Sequence, residues 1–130
     1  MKRSHLEQVF AATWGVRYPE LPPSREVVLP VWAEWAQELK RRGLRQRAVA
    51  MRADFAWPAA RVGLEIQGGT WVKSGHSTGT GIERDAVKGL LAQSSGWALV
   101  AFTDHMLCRQ GEIWLPLLAD LIRSRQSSDV

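Results

Sequence analysis

The sequence predicts one α/β domain, and three observations predict it. Two short runs alternate apolar and polar residues on either side of a turn: Val49, Met51, Ala53, Phe55 and Trp57 before it, then Val62, Leu64 and Ile66 after it. That period of two marks strands with one buried face. Trp97–Phe102 is an unbroken apolar run, the pattern of a central strand covered on both faces. Around these lie segments with apolar residues three and four apart, which is helical spacing.

The hairpin carries the chemistry. Pro58-Ala59-Ala60-Arg61 separates the two runs and reads as their turn. A hairpin symmetric about Ala59 and Ala60 sets Asp54 opposite Glu65. Opposed residues on one face of an antiparallel pair hold their Cβ atoms about 4.5–5.5 Å apart, and like charges so placed repel. A hard divalent cation, Mg²⁺ or Mn²⁺, relieves that repulsion and keeps positions for water and phosphate oxygens. Such an ion suits phosphodiester hydrolysis, in which it activates water and neutralises charge on the phosphate. In a slightly different register the same acids are two solvated surface groups, and periodicity alone supports both readings equally.

Asp54, followed after a short hairpin by Glu65-Ile66-Gln67, resembles the D…(E)xK signature of the PD-(D/E)XK nuclease superfamily. The wider string runs from DFAWP through LEIQGGTW, a Gly/His loop, ERDAVK and SGWALVAFT. It is similar to small phage and bacterial endonucleases of that superfamily, most of all to archaeal-type Holliday junction resolvases and their phage counterparts. The likeness covers roughly residues 45–106, with a weaker extension at Glu7, and the ordered companions make the short motif more specific than it is alone.

The resemblance implies a restriction-endonuclease-like fold: an αβββαβ core with a mixed central sheet flanked by helices, in a single domain over residues 1–130. It implies Asp54, Glu65 and Gln67 as ligands of Mg²⁺, for which Mn²⁺ substitutes. A glutamate on the first helix reaches the metal in resolvases of this type, and Glu7 is the acid in the matching position. The sequence departs from the family at Gln67, where a lysine usually stands. A neutral amide supplies no positive charge to an attacking hydroxide or the developing phosphorane. Some members carry that lysine on the helix after the third core strand, which here is Lys88. Its plain alternative is a solvent-facing lysine one turn from Arg84.

The 130 residues suffice for one domain and one core. With 45% hydrophobic and 23% charged residues the composition is globular, and no apolar run is long enough to span a bilayer. MKRSHLEQ has positive charge without an apolar stretch behind it, so a secretory signal is not expected and the expected location is the cytoplasm, that of the host if the chain is phage-encoded. Seventeen Lys and Arg against thirteen acids give +4, which favours a polyanionic partner such as DNA. Cys108 is the only cysteine, which excludes an intrachain disulfide and a thiolate zinc cluster, and its apolar surroundings suggest passive packing. Seven tryptophans read chiefly as core or interface anchors, with stacking on bases as the lesser alternative.

From the N-terminus, Ser4 can cap a helix whose third position is Glu7, with Leu6, Val9, Phe10 and Thr13 as its apolar stripe over residues 4–14. Gly15 and Pro19–Pro23 end it in a linker. Pro30 opens a second helix, 31–42, closed by Gly43, with Trp32, Trp35, Ala36 and Leu39 at buried spacing. That helix is additional to the minimal nuclease core and serves to cover the sheet or to form a dimer contact. Lys40, Arg41 and Arg42, followed by Arg45, Arg47 and Arg52, form the densest basic cluster, leading into the strand of Asp54. A charge run of this kind is commonly a solvated face, but phosphate contacts beside a metal need such charges.

Gly68–Gly81 holds five glycines with Lys73 and His76 and shows no periodicity, so it reads as a long loop that is either functional or disordered. Lys73 can reach a phosphate; His76 assists proton transfer or is an ordinary loop histidine. A helix follows over about 82–95, with Glu83 and Asp85 in its first turn, Gly96 at its end, and Val87, Leu90, Leu91 and Ser94 inward. Residues 104–109 and 112–125 read as terminal helices, with Ile113, Leu117, Leu118, Leu121 and Ile122 packing inward. The third strand of the implied core is expected from a break between Gln46–Ala53 and Arg52–Trp57.

These readings converge on a metal-dependent DNA endonuclease, more narrowly a resolvase of four-way junctions. Asp54, Glu65 and Gln67 hold Mg²⁺, Glu7 assists, Lys88 polarises the water, and Arg41, Arg42, Arg45, Arg47, Arg52, Lys73 and His76 contact DNA. Symmetric cutting of two strands calls for a homodimer. A nicking or repair nuclease acting on mismatches, flaps or ends shares the same chemistry. A catalytically inactive DNA-binding accessory protein and a small interaction protein using its tryptophans are the readings from other classes.

Overall fold

In a computed structural model of the chain, which describes residues 2–43, 51–68 and 79–127, nine elements follow in order. They are α1 (Lys2–Arg17), β1 (Ser24–Val27), α2 (Pro30–Arg41), β2 (Ala53–Trp57), β3 (Val62–Gln67), α3 (Gly79–Ser94), β4 (Ala98–Thr103), α4 (Asp104–Arg109) and α5 (Gly111–Ser127). The strands form one sheet in the order β1-β2-β3-β4. β1 and β2 pair antiparallel, as do β2 and β3, whereas β3 and β4 are parallel. A parallel pair needs a crossover, and α3 supplies it. The chain is therefore a single small α/β domain with a mixed sheet flanked by helices.

The hairpin folds in the expected register: Phe55 pairs with Leu64, Ala56 with Gly63 and Trp57 with Val62. Its turn is closed by Ala60 N–H to the Trp57 carbonyl at 3.0 Å and Arg61 N–H to the Pro58 carbonyl at 3.1 Å. Arg61 takes the left-handed φ of 55° that brings the chain back. Gly43 and Gly96, both at φ 82°, follow the ends of α2 and α3, where left-handed backbone favours glycine.

Each face of the sheet has its own core. Phe10 and Trp14 of α1, Phe55, Trp57, Leu64 and Phe102 of the strands, and Leu115, Leu118 and Ile122 of α5 form the first. Leu29, Trp32 of α2, Met51, Ala53, and Leu91 and Ala92 of α3 form the second. Met51 and Ala53 thus pack apart from Phe55 and Trp57, although a period of two predicts one shared face. The alternation breaks at Asp54, where the side chain enters the ladder.

Several local expectations are corrected. The third antiparallel strand is β1, within the stretch following the expected linker; SREV has no apolar alternation to reveal it because it is a largely exposed edge. Residues 46–50, from which that strand was expected in part, lie outside the described residues. β4 is an edge strand of the described sheet, with Phe102 buried and Ala101 exposed, and not a central strand covered on both faces. Helix α1 continues through Gly15 to Arg17, and Trp14, rather than Thr13, joins Phe10 in the core. The helix starts before Ser4, at Lys2, and not at the expected residue 4. Helix α3 starts at Gly79, which takes Glu83 and Asp85 beyond its first turn. Trp35, Leu90, Ile113 and Leu117 face solvent, and Cys108 is exposed rather than packed.

Candidate functional site

Alternation along β3 sends Val62, Leu64 and Ile66 into the first core and leaves Gly63, Glu65 and Gln67 on the side of α2 and α3. The direction is visible at Gly63, where an added Cβ would lie 3.2 Å from Leu99 Cδ1 and 3.5 Å from Ala53 Cβ. Glu65 is half-buried on that side, and Gln67, two residues on, is exposed.

The crossover helix brings Lys88 to Glu65. Lys88 is 3% exposed, and its Nζ donates to Glu65 Oε1 and, at 3.1 Å, to the Arg52 carbonyl. A buried ammonium without such partners would be strongly disfavoured. On another side Nζ lies 5.2 Å from the centre of the Trp32 ring, and the Trp32 indole N–H donates to the Lys88 carbonyl at 3.3 Å.

Asp54, 7% exposed, sits where β2 enters the hairpin ladder. Its Oδ2 accepts the backbone N–H of Ile66 at 2.8 Å. The ladder pairs run from Trp57–Val62 to Phe55–Leu64, and beyond them Asp54 meets β3 through this bond to Ile66. Lys88 is thus held by the Arg52 carbonyl and Glu65, and Asp54 by the backbone of Ile66.

Glu7 is also buried, on α1. Arg25 of β1 approaches its Oε1 at 3.4 Å, and the same guanidinium lies 4.7 Å from the centre of the Phe55 ring. Among the described residues, no three of His, Cys, Asp or Glu gather into a group able to hold a metal ion, so Glu7 does not join Asp54 and Glu65 in a three-acid cluster.

The remaining donors are nonetheless those a hard cation takes. Asp54 and Glu65 offer carboxylate oxygens and Gln67 an amide oxygen at the end of the same strand. Mg²⁺ is commonly held by one or two carboxylates and keeps several waters. The donor set therefore fits that ion.

Of the basic cluster, Arg41, Arg42 and Arg52 each meet an acid. Arg41 and Arg42 are exposed at the end of α2 and both pair with Glu38, Arg42 at 2.5 Å. Arg52 Nη1 lies 3.3 Å from Glu26, itself at a left-handed φ of 51°. Arg45, Arg47, Lys73 and His76 lie outside the described residues. Sequence reading passed over Trp32 as a neighbour of Lys88 and Arg25 as a partner of Glu7. Trp32 carried only a core signal, and Arg25 only that of an isolated charge.

No family model matches the chain, and neither the curated proteins nor the solved structures yield a match.

Proposed function

We propose that the chain is a Mg²⁺-dependent DNA endonuclease of the PD-(D/E)XK kind, acting in the cytoplasm. The observation that carries the reading is Lys88 seated on Glu65, with Asp54 of the neighbouring strand accepting from the backbone of the next residue, Ile66. Two carboxylates and an ammonium in one partly buried cluster are the groups that phosphodiester hydrolysis requires. The order α1, β1, β2, β3, α3, β4, with α2 inserted, supports the same reading, since it follows an αβββαβ plan.

Asp54 and Glu65 would hold the metal, with the Gln67 amide within the same strand end, and the ion would lower the pKa of a bound water and neutralise phosphate charge. Lys88 would place fixed positive charge where the attacking oxygen and the phosphate meet. Arg52 and the arginines at the end of α2 would bind the DNA backbone, a contact that weakens as salt rises.

The substrate class follows from the resemblance: branched DNA, cut by a homodimer. The test is incubation with labelled four-way junction, flap, mismatch and linear duplex, with and without Mg²⁺. Paired nicks at the junction support the resolvase reading. Cuts in flaps or mismatches indicate a nicking or repair enzyme, and equal cutting of linear duplex removes branch selectivity. The glutamine at position 67, where the family carries lysine, favours a second reading, an inactive DNA-binding accessory. Salt-sensitive binding with no cleavage under any metal would establish that one.

A further inference from the structure

We infer that Trp32 is a positioning residue for Lys88, holding its ammonium on Glu65 for catalysis. The inference rests on the nuclease reading and extends it to α2, an element outside the αβββαβ plan.

A lysine head is a compact charge on a flexible four-carbon stem, so a fixed position must come from its surroundings. Glu65 and the Arg52 carbonyl hold Nζ through two N–H donors. The ring of Trp32 holds it from another direction, 5.2 Å from ring centre to Nζ, by attraction between a cation and an aromatic face. That attraction restrains the ammonium without taking an in-line acceptor.

Trp32 also acts on the main chain of the same residue. Its indole N–H donates to the Lys88 carbonyl at 3.3 Å, inside helix α3. One side chain thus restrains both the backbone and the head of Lys88. Trp32 is wholly buried, preceded by Leu29 and packed with Leu91 and Ala92, so the ring itself has little room to move.

A role in packing alone predicts that any apolar residue of suitable size serves at position 32. The positioning role predicts otherwise, and two readouts separate them. The first is the proton–nitrogen cross-peak of the Lys88 side-chain ammonium in the ¹⁵N-labelled full chain, which a held, buried ammonium shows and a mobile one loses to solvent exchange. The second is cleavage kinetics on the DNA that the native protein cuts best.

Trp32→Phe keeps an aromatic face and is expected to keep the cross-peak. Trp32→Leu is expected to lose it while the amide spectrum stays native-like, with kcat lowered by about tenfold or more and KM little changed. Tetrafluorotryptophan placed at position 32 keeps shape and N–H but removes the negative face, and is expected to lose the cross-peak too, which keeps the test open if Trp32→Leu does not fold. A cross-peak and kcat that survive both the leucine and the fluorinated ring overturn the inference. Native protein that cuts no DNA, yet loses its Lys88 cross-peak with the ring, defeats the nuclease reading while upholding the hold of Trp32 on Lys88.

Discussion

Asp54 Oδ2 accepts the Ile66 backbone N–H at 2.8 Å, so a carboxylate stands in the ladder between β2 and β3 where a main-chain carbonyl is usual. The acid that is proposed to bind metal is also an internal support of the sheet. Asp54→Ala strips a buried N–H of its acceptor, and we expect a loss of about 1–3 kcal/mol in urea unfolding. Asp54→Asn retains an acceptor oxygen and should cost about 1 kcal/mol or less, within the net worth of one hydrogen bond. Both should abolish Mg²⁺-dependent cleavage, so stability and activity part company in the asparagine variant.

The Lys88–Glu65 pair gives a second separation. Lys88→Met leaves the Glu65 carboxylate and the Arg52 carbonyl without their donor, and breaking a buried pair from one side costs about 3–5 kcal/mol. Glu65 keeps partial solvent access, which places the expected loss at or below the lower end of that range. Adding Glu65→Gln should recover part of the stability, because the uncompensated charge is gone, yet no activity should return. A double-mutant cycle measured by chemical denaturation gives the coupling.

Metal binding should appear as stability as well. An ion that binds only the folded chain raises unfolding free energy by about 2.7 kcal/mol at a hundredfold excess over its Kd. Adding Mg²⁺ to metal-stripped protein should therefore raise Tm, and chelator should reverse the rise. Glu65→Gln and Asp54→Asn should show no Mg²⁺-dependent shift.

Away from the site, one acid links the two ends of the chain. Glu20 accepts from Arg123 of α5 at 2.6 Å, and its carboxyl is held below the usual glutamate value, first by its own backbone N–H and then by that guanidinium. A carboxyl with a lowered folded pKa adds stability above its unfolded pKa and loses it as pH falls through the folded one. Glu20→Gln should thus lower Tm slightly at pH 7 and leave it nearly unchanged well below pH 4.5, which flattens the acid limb of a Tm-against-pH profile, and the exposure of Glu20 keeps the effect small.

What the sequence made legible is local and periodic. The register of the hairpin, from Phe55 on Leu64 to Trp57 on Val62, followed from the turn residues and the alternating apolar set. Lys88 was found through a missing charge at Gln67. Strand β1 was not legible because four mostly exposed residues carry no burial pattern. The edge position of β4 was hidden because an apolar run reports burial on average and not strand order. Ile113 and Leu117 satisfy helical spacing yet are each 57% exposed, since spacing defines a stripe and only the tertiary fold decides which side of it is covered. The contact of Trp32 with Lys88 spans 56 residues of sequence, beyond any local signal.

The most direct measurement is cleavage of end-labelled branched and duplex DNA by native protein, Glu65→Gln and Lys88→Met, with Mg²⁺ and with chelator, each variant first shown to be folded. Cutting by the native chain that needs Mg²⁺ and falls at least a hundredfold in both variants, by analogy with the loss of one electrostatic group, about 10²–10³-fold, is the predicted result. Cutting that persists in chelator or in Glu65→Gln, or no cutting of any DNA by the native protein, would contradict it.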